Sequence, residues 1–435
     1  MTEHQLLLFL IQVGLLVVAA RVGGEIALRL GVAQVVGELV VGICLGPSLF
    51  GKLWPGGFLA LFPADPAGRG FLEMVGWIGV IFLVVLSGFE VRLELLRRAG
   101  RAALYGWIGA FGLPFAMGFG LGWLIPSNLI GPDIARPVFA LFVATAMSIS
   151  AIPVIARILM DLDLFGSRVG MLIISTAVAD DTVGWIVLAV VSGLALSHRV
   201  DATSVATALL GTGIFVAFSF TIGQRLVNLA LRASRRLRVP FAQTTVILAI
   251  VFAGGAATQA IHVHLVLGCF LAGILIARTP REALDHQAVE SIRRVGMAFF
   301  VPFFFAYTGI KVDLTTLRGS ALPVALVALV VAFAGKLIGG SVGARLGGIP
   351  RWEALAVGAG LNARGAMELV IAAIGVSIGV LTPPMYSTIV VIAVLTSLSA
   401  PPLLRFCINR DRRQREDEEP TGVERPGEGE EVVAG

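Results

Sequence analysis

Two adjacent carboxylates, Asp180 and Asp181, sit in the stretch TAVADDTVGW, inside an apolar run from 171 to 196. A charged carboxylate at the centre of a membrane-spanning helix costs about 2.5 to 3.5 kcal/mol, and a like charge beside it adds to the cost. Neighbours on a helix point about 100 degrees apart, so the two cannot share one ligand face squarely and must serve different partners. Lys336, in LVVAFAGKLIGG, is the one lysine well inside an apolar segment and is the obvious partner. An ammonium in low dielectric is held charged by a carboxylate. With one aspartate paired to Lys336 and the other facing a watery cavity, the second could bind either a proton or a small cation. A structural ion pair between helices is the simpler account, but one aspartate would suffice for one lysine, and ionisable groups inside a membrane are functional by default.

Other polar residues in apolar surroundings are weighed the same way. Arg364 and Glu368, in VGAGLNARGAMELVIAAIG, are spaced i, i+4 and could neutralise each other or the ends of a broken helix. Glu38 is expected to snorkel to the membrane surface. His262 and His264 form an H-x-H without the further ligands of a metal site and read as loop. GFGLG at 118 to 122 lies mid-segment and reads as helix packing rather than a dinucleotide loop. Cys44, Cys269 and Cys407 have no C-x-x-C spacing, which suggests neither a disulfide framework nor a metal site.

The elements that carry these residues follow from composition. In 435 residues, 57% are hydrophobic and 14% charged, and mean hydropathy is +0.91; a set of soluble domains is excluded. With roughly 20 apolar residues needed per span, thirteen segments are expected, near 5–22, 33–50, 71–89, 101–125, 136–159, 168–196, 203–223, 242–260, 263–277, 295–310, 320–344, 352–378 and 384–408. The fold class is an all-α polytopic membrane protein. Of 33 lysines and arginines, 25 fall in the loops after odd-numbered segments and in the C-terminal tail, against 6 on the other side. Because basic residues accumulate on the cytoplasmic side, the N-terminus is placed outside and the C-terminus inside a cell (inner) membrane. MTEHQ has no basic n-region and the first apolar run no A-x-A site, so it reads as a retained span. The net charge of +5 reflects this topology and does not indicate nucleic acid. The charged tail, 411–435, reads as disordered.

The chain also repeats itself. VVGELVVGICLGP returns as LGCFLAGILI, with Gly37 against Gly268, Gly42 against Gly273 and Ile43 against Ile274. FLVVLSGFEVRLELL returns as FFFAYTGIKVDLTTL, with Gly88 on Gly309 and Leu93 on Leu314. Each match lies seven segments apart, and an odd offset reverses direction through a membrane. The expected plan is two inverted six-helix repeats joined by a linker helix at 203–223, a design of secondary transporters whose substrates bind at interrupted helices. Segments 5 and 12 are equivalent in the two halves, and both carry such interruptions: Ser148, Ser150 and Pro153 in one, Asn362, Arg364, Gly365 and Glu368 in the other.

In order along the chain, VVGELVVGICLGPSLFG, SISAIPVIARIL, ADDTVGW, AGKLIGG and LNARGAMELVIAAIG resemble the monovalent cation:proton antiporters of the sodium/hydrogen exchanger superfamily, over about residues 5 to 408. That resemblance implies that the second aspartate, Asp181, binds the ion, and that Asp180 pairs with Lys336. It further implies that Ser150 and Ser148 with backbone groups complete the site. It implies a homodimer, with a dimer part about 5–89 and 242–310 and a mobile core part about 101–196 and 320–408. LNARGAMEL is closer to the branch of plant cation exchangers and potassium-efflux systems, many of which carry Asn or Gln at the position of Asp180. Asp180 instead suggests the sodium/proton type.

The expected mechanism is therefore exchange of Na⁺, with K⁺ as the alternative, for H⁺ at Asp181, driven by gradients and needing no cofactor. A second proton would come from Lys336. An intramembrane aspartyl protease needs two facing carboxylates, which adjacent helical positions do not provide, and a channel would need a filter such as TVGYG, which is absent from the sequence. A cation-coupled solute symporter of similar design is the remaining alternative.

Overall fold

Within a bilayer a backbone can satisfy its own hydrogen bonds only as helix or closed barrel, and the long runs of Leu, Val, Ile, Ala and Gly here fold as helix. The computed structural model describes residues 2–63, 65–91, 100–196, 202–261 and 263–418. Its main helices are α1 (Glu3–Arg29), α2 (Gln34–Leu45), α3 (Pro66–Glu90), α4 (Gly100–Leu124), α5 (Arg136–Ser148), α6 (Ile152–Asp161) and α7 (Arg168–Leu196). α8 (Ala202–Phe218) continues through a π turn into α9 (Gln224–Ser234), followed by α10 (Ala242–Ala260) and α11 (Leu265–Ala277). α12 (His286–Val295) runs through another π turn into α13 (Val301–Ile310), and α14 (Ala321–Leu346), α15 (Arg351–Leu361), α16 (Ala366–Ser377) and α17 (Pro383–Glu418) complete the chain. The protein is an all-α polytopic membrane protein.

Each of the thirteen expected segments falls on helix, but length separates them. Among the described residues ten helical stretches are long and apolar enough to cross a membrane, and α15 with α16, bent by 41° at their break, makes an eleventh. The other two fall short. Segment 5 is split into α5 and α6, and α11 has 13 residues, about 20 Å at 1.5 Å per residue.

Two groups of helices pack closely among themselves, α1 to α3 with α10 to α13, and α4 to α7 with α14 to α17. Between them, α7 meets α11, α13 meets α16, and α2 meets α17. The Tyr386 hydroxyl donates to the Thr308 carbonyl (2.8 Å), tying α17 to α13. Within each group the tightest crossings are made at glycines. A Cβ on Gly37 would lie 2.1 Å from the Gly23 carbonyl oxygen, and one on Gly268 would lie 2.0 Å from that of Gly254. Likewise a Cβ on Gly42 would meet the Ala306 oxygen at 2.2 Å beside Gly309, and one on Gly273 would meet the Val85 oxygen at 2.6 Å beside Gly88. The glycines aligned across the two sequence matches thus occupy corresponding crossings, whereas Leu93 lies outside the described residues. GFGLG packs as expected, with Gly118 and Gly122 against Ala144 and Ala140 of α5.

Three expectations are corrected. Glu38 does not snorkel: it is 2% exposed, accepts from Gln34 Nε2 at 2.7 Å and lies 3.9 Å from Arg21. The close approach of α1 and α2 at their glycines covers it, and Gly24 leaves the room it occupies. The tail does not begin at 411, because α17 extends to Glu418, where RDRRQRED alternates charges at helical spacing; residues 419–435 lie outside the described residues. His262 also lies outside them, whereas His264 is more than loop: its Nδ1 accepts from the Val266 N–H and caps α11, and its ring packs 5.7 Å from that of Trp77.

Candidate ion-binding site

The site is built where two helices stop and restart. α5 ends at Ser148, residues 149–151 are extended, and α6 begins at Ile152. Pro153 stands in the first turn of α6, where its missing N–H costs no helix bond. α15 ends at Leu361 and α16 begins at Ala366. The two interruptions cross, the Ala151 N–H donating to the Ala363 carbonyl at 3.3 Å and the Ser150 hydroxyl to the Leu361 carbonyl at 3.0 Å.

Interrupted helices expose unpaired carbonyls at one end and unpaired N–H groups at the other. Arg364 takes the first set. Its guanidinium donates to the carbonyls of Ala146 (3.0 Å) and Met147 (2.5 Å) at the end of α5, and to that of Ala332 on α14 (3.2 Å). Glu368 takes the second. One carboxylate oxygen accepts from the Gly365 N–H at 2.8 Å, the other from Arg364 at 3.3 Å. Arg364 and Glu368 are each 1% exposed. They fix the crossing and leave no free charge for an ion. Ser397, whose only mark in the sequence is a hydroxyl in an apolar helix, donates to the Arg364 carbonyl.

α7 passes this crossing with its aspartates at the break, and Gly184 seats it against Ile149. Lys336 Nζ lies 2.5 Å from Asp180 Oδ2, with both side chains 0% exposed. The same oxygen accepts from the Ser150 hydroxyl at 2.8 Å. Asp180 is therefore held by a cation and a hydroxyl. Asp181 is 0% exposed, and among the described residues neither of its oxygens has a protein partner. The Asn362 side-chain oxygen and Asp180 Oδ1 are also buried without partners among the described residues, while Asn362 Nδ2 donates to the Phe333 carbonyl at 3.3 Å. On the side toward α11, the Trp185 ring lies 5.8 Å from that of Phe270.

The expected residues divide accordingly. Asp180, Lys336 and Ser150 come together as a bonded set. Ser150 serves Asp180 and the α15 carbonyl rather than Asp181, and Ser148 turns back to the Ala144 carbonyl of its own helix at 2.7 Å. Asn362, absent from the expected ligands and present only as a break residue, keeps its side-chain oxygen buried and unpartnered among the described residues. A buried carboxylate with two unpartnered oxygens can be neutralised by a proton or by a small cation.

The family described as "Sodium/hydrogen exchanger, transmembrane" matches residues 14–408. The Na(+)/H(+) antiporter NhaS4 of Synechocystis is 32% identical, over 93% of this chain and 98% of that protein. The Na(+)/H(+)-K(+) antiporter GerN of Bacillus cereus is 29% identical over 92% and 96%. Cation/H(+) antiporter 18 of Arabidopsis thaliana is 31% identical over 96% of this chain and 51% of its own length. The fold is that of the sodium proton antiporter MjNhaP1 of Methanocaldococcus jannaschii, with a TM-score of 0.67 over 93% of this chain and 99% of that one at 16% identity. This chain belongs to the sodium/hydrogen exchanger family, whose members are transporters rather than enzymes.

Proposed function

We propose that the protein exchanges a monovalent cation, Na⁺ in first place, for H⁺ across the cell membrane by alternating access, cation and proton competing for Asp181. The observation that carries this reading is the contrast between two neighbouring carboxylates, Asp180 engaged by Lys336 and Ser150, Asp181 buried and bare. The relatives' names support cation/proton antiport, and they name Na⁺ and K⁺ both, so K⁺ is the second reading. In this scheme the helices of about 101–196 and 320–408 carry the site past those of about 5–89 and 242–310, the latter forming a homodimer. The termini lie as the basic loops require, N-terminus outside and C-terminus in the cytoplasm.

Lys336 gives the exchange its stoichiometry. If cation binding frees Asp180 from Lys336 and the lysine releases its proton, two protons move per cation. Turnover then responds to membrane potential by about 2.3 kcal/mol per charge per 100 mV.

The test is purified protein in liposomes with an imposed proton gradient and an internal pH dye. Na⁺, K⁺ or Li⁺ is added in turn, for the parent chain and Asp181→Asn. Cation-specific dequenching that disappears in the variant is expected, and the effective ion decides between Na⁺ and K⁺. No response to any cation would overturn antiport in favour of a solute symporter. Rates indifferent to a potassium-diffusion potential would remove the second proton.

A further inference from the structure

The linker helix ends in a basic, partly apolar loop that borders a cavity far in sequence from the ion site. Along α8 and α9 the side chains of Ile214, Phe218, Ile222, Leu226 and Leu229 are exposed, a face suited to lipid. Five arginines, Arg225, Arg232, Arg235, Arg236 and Arg238, follow within 14 residues. Among the described residues none of the five forms an ion pair. Leu237 among them, and Val239 and Phe241 between them and α10, are 57%, 67% and 77% exposed.

A cavity of about 630 Å³ opens between this loop, the start of α10 and the connection from α11 to α12; Arg235, Phe241, Arg281, Asp285 and His286 are on its lining. Its walls are tied together. Buried Gln243 donates to the carbonyls of Leu231 (3.1 Å) and Ala283 (2.9 Å), and its side-chain oxygen accepts from the Asp285 N–H. The one carboxylate on the lining, Asp285, caps α12 by accepting from the Gln287 N–H at 2.9 Å. Arg235 donates to the Glu282 carbonyl, and Arg281 has no partner of its own among the described residues. Phe241 adopts φ 60°, a left-handed conformation uncommon for a bulky residue, and spends it on an exposed ring.

We infer that this cavity binds the headgroup of an anionic phospholipid, its phosphate held by Arg235 and Arg281, with Leu237, Val239 and Phe241 entering the acyl boundary. Arginines beside a membrane-facing helix attract anionic lipid, and aromatic residues favour the interface. A free phosphate satisfies the arginines but leaves the three apolar side chains in water. The inference does not rest on the exchange reading, since none of these residues touches Asp180, Asp181 or Lys336.

The experiment is thermal unfolding of the purified full chain in uncharged detergent, titrated with phosphatidylglycerol, phosphatidylcholine or inorganic phosphate. Phosphatidylglycerol is expected to raise the melting temperature, and the other two to leave it in place. In R235Q/R281Q the half-saturating phosphatidylglycerol concentration should rise about 30-fold, from about 1 kcal/mol per arginine at an anionic surface. Where loss of the Arg235 bond prevents folding, R281Q alone carries the test, with a rise of about five-fold. Phe241→Asn suits the left-handed backbone and should fold at least as stably without lipid, yet respond more weakly to phosphatidylglycerol. An equal shift with phosphatidylcholine, a shift with inorganic phosphate alone, or an unchanged response in these variants would overturn the inference.

Discussion

Asp180 and Asp181 differ by one position and by everything around them. Replacing each by its isostere separates their roles without changing shape. In Asp180→Asn the Lys336 ammonium keeps its burial and loses its counter-charge; breaking a buried pair from one side costs about 3 to 5 kcal/mol, so the melting temperature should drop sharply. Asp181→Asn removes a carboxylate that has no partner to lose, and the amide is cheaper to bury than the charge. That variant should melt at or above the parent temperature while failing to move protons in response to any cation. Thermal unfolding of the two purified variants side by side checks this, and equal destabilisation would make Asp181 a structural residue. The pairing of an aspartate with Lys336 was legible in the sequence from the types alone. The assignment of Ser150 was not, because a hydroxyl's partner is set by how two helices rotate against each other.

At the scale of elements, Arg364 and Glu368 close the helix ends that the chain opened. The interruption at 149–151 was announced by Pro153, and the one at 362–365 by polar residues in an apolar run; what they did not reveal is that Arg364 reaches across to the other broken helix. It satisfies the carbonyls of Ala146 and Met147, which would otherwise be orphaned in a dry interior. Glu368→Gln tests the division of labour. The glutamine oxygen can still accept from the Gly365 N–H, so the cap survives, but Arg364 loses its only ion pair among the described residues. A stability loss of about 3 to 5 kcal/mol is expected from the uncompensated guanidinium. The loss should be reduced in Glu368→Gln combined with Arg364→Gln, because the second change removes the unpaired charge; apparent melting temperatures of the single and double variants decide. A double variant that loses the sum of both singles would mean the pair is not coupled.

The whole molecule shows the same economy twice. The sequence matches aligned Gly37 with Gly268, Gly42 with Gly273 and Gly88 with Gly309, and in the structure these residues make corresponding helix crossings, α1 on α2 and α10 on α11, then α2 on α13 and α11 on α3. The partners Gly23 and Gly254 stand at the same sequence shift, in VGGEIA and AGGAAT, a pair too short to notice before the crossings pointed to it. Helices in lipid gain little from burying apolar surface against each other and associate through close backbone approach at small residues, which explains why glycine rather than leucine marks the correspondence. It also sets a prediction on both halves at once. A methyl on Gly37 or on Gly268 would sit about 2 Å from a facing carbonyl oxygen, where no side-chain rotation can relieve it. Gly37→Ala and Gly268→Ala should therefore each destabilise by about 1 to 3 kcal/mol, the usual cost of overpacking, and by similar amounts. Gly14→Ala and Gly211→Ala, with nothing within 4 Å of the added carbon, should gain up to about 1 kcal/mol from helix propensity. Melting temperatures of the four variants in one detergent give the comparison. A large loss at Gly37 with none at Gly268 would show that the two crossings, alike in geometry, do not share the load of holding their halves together.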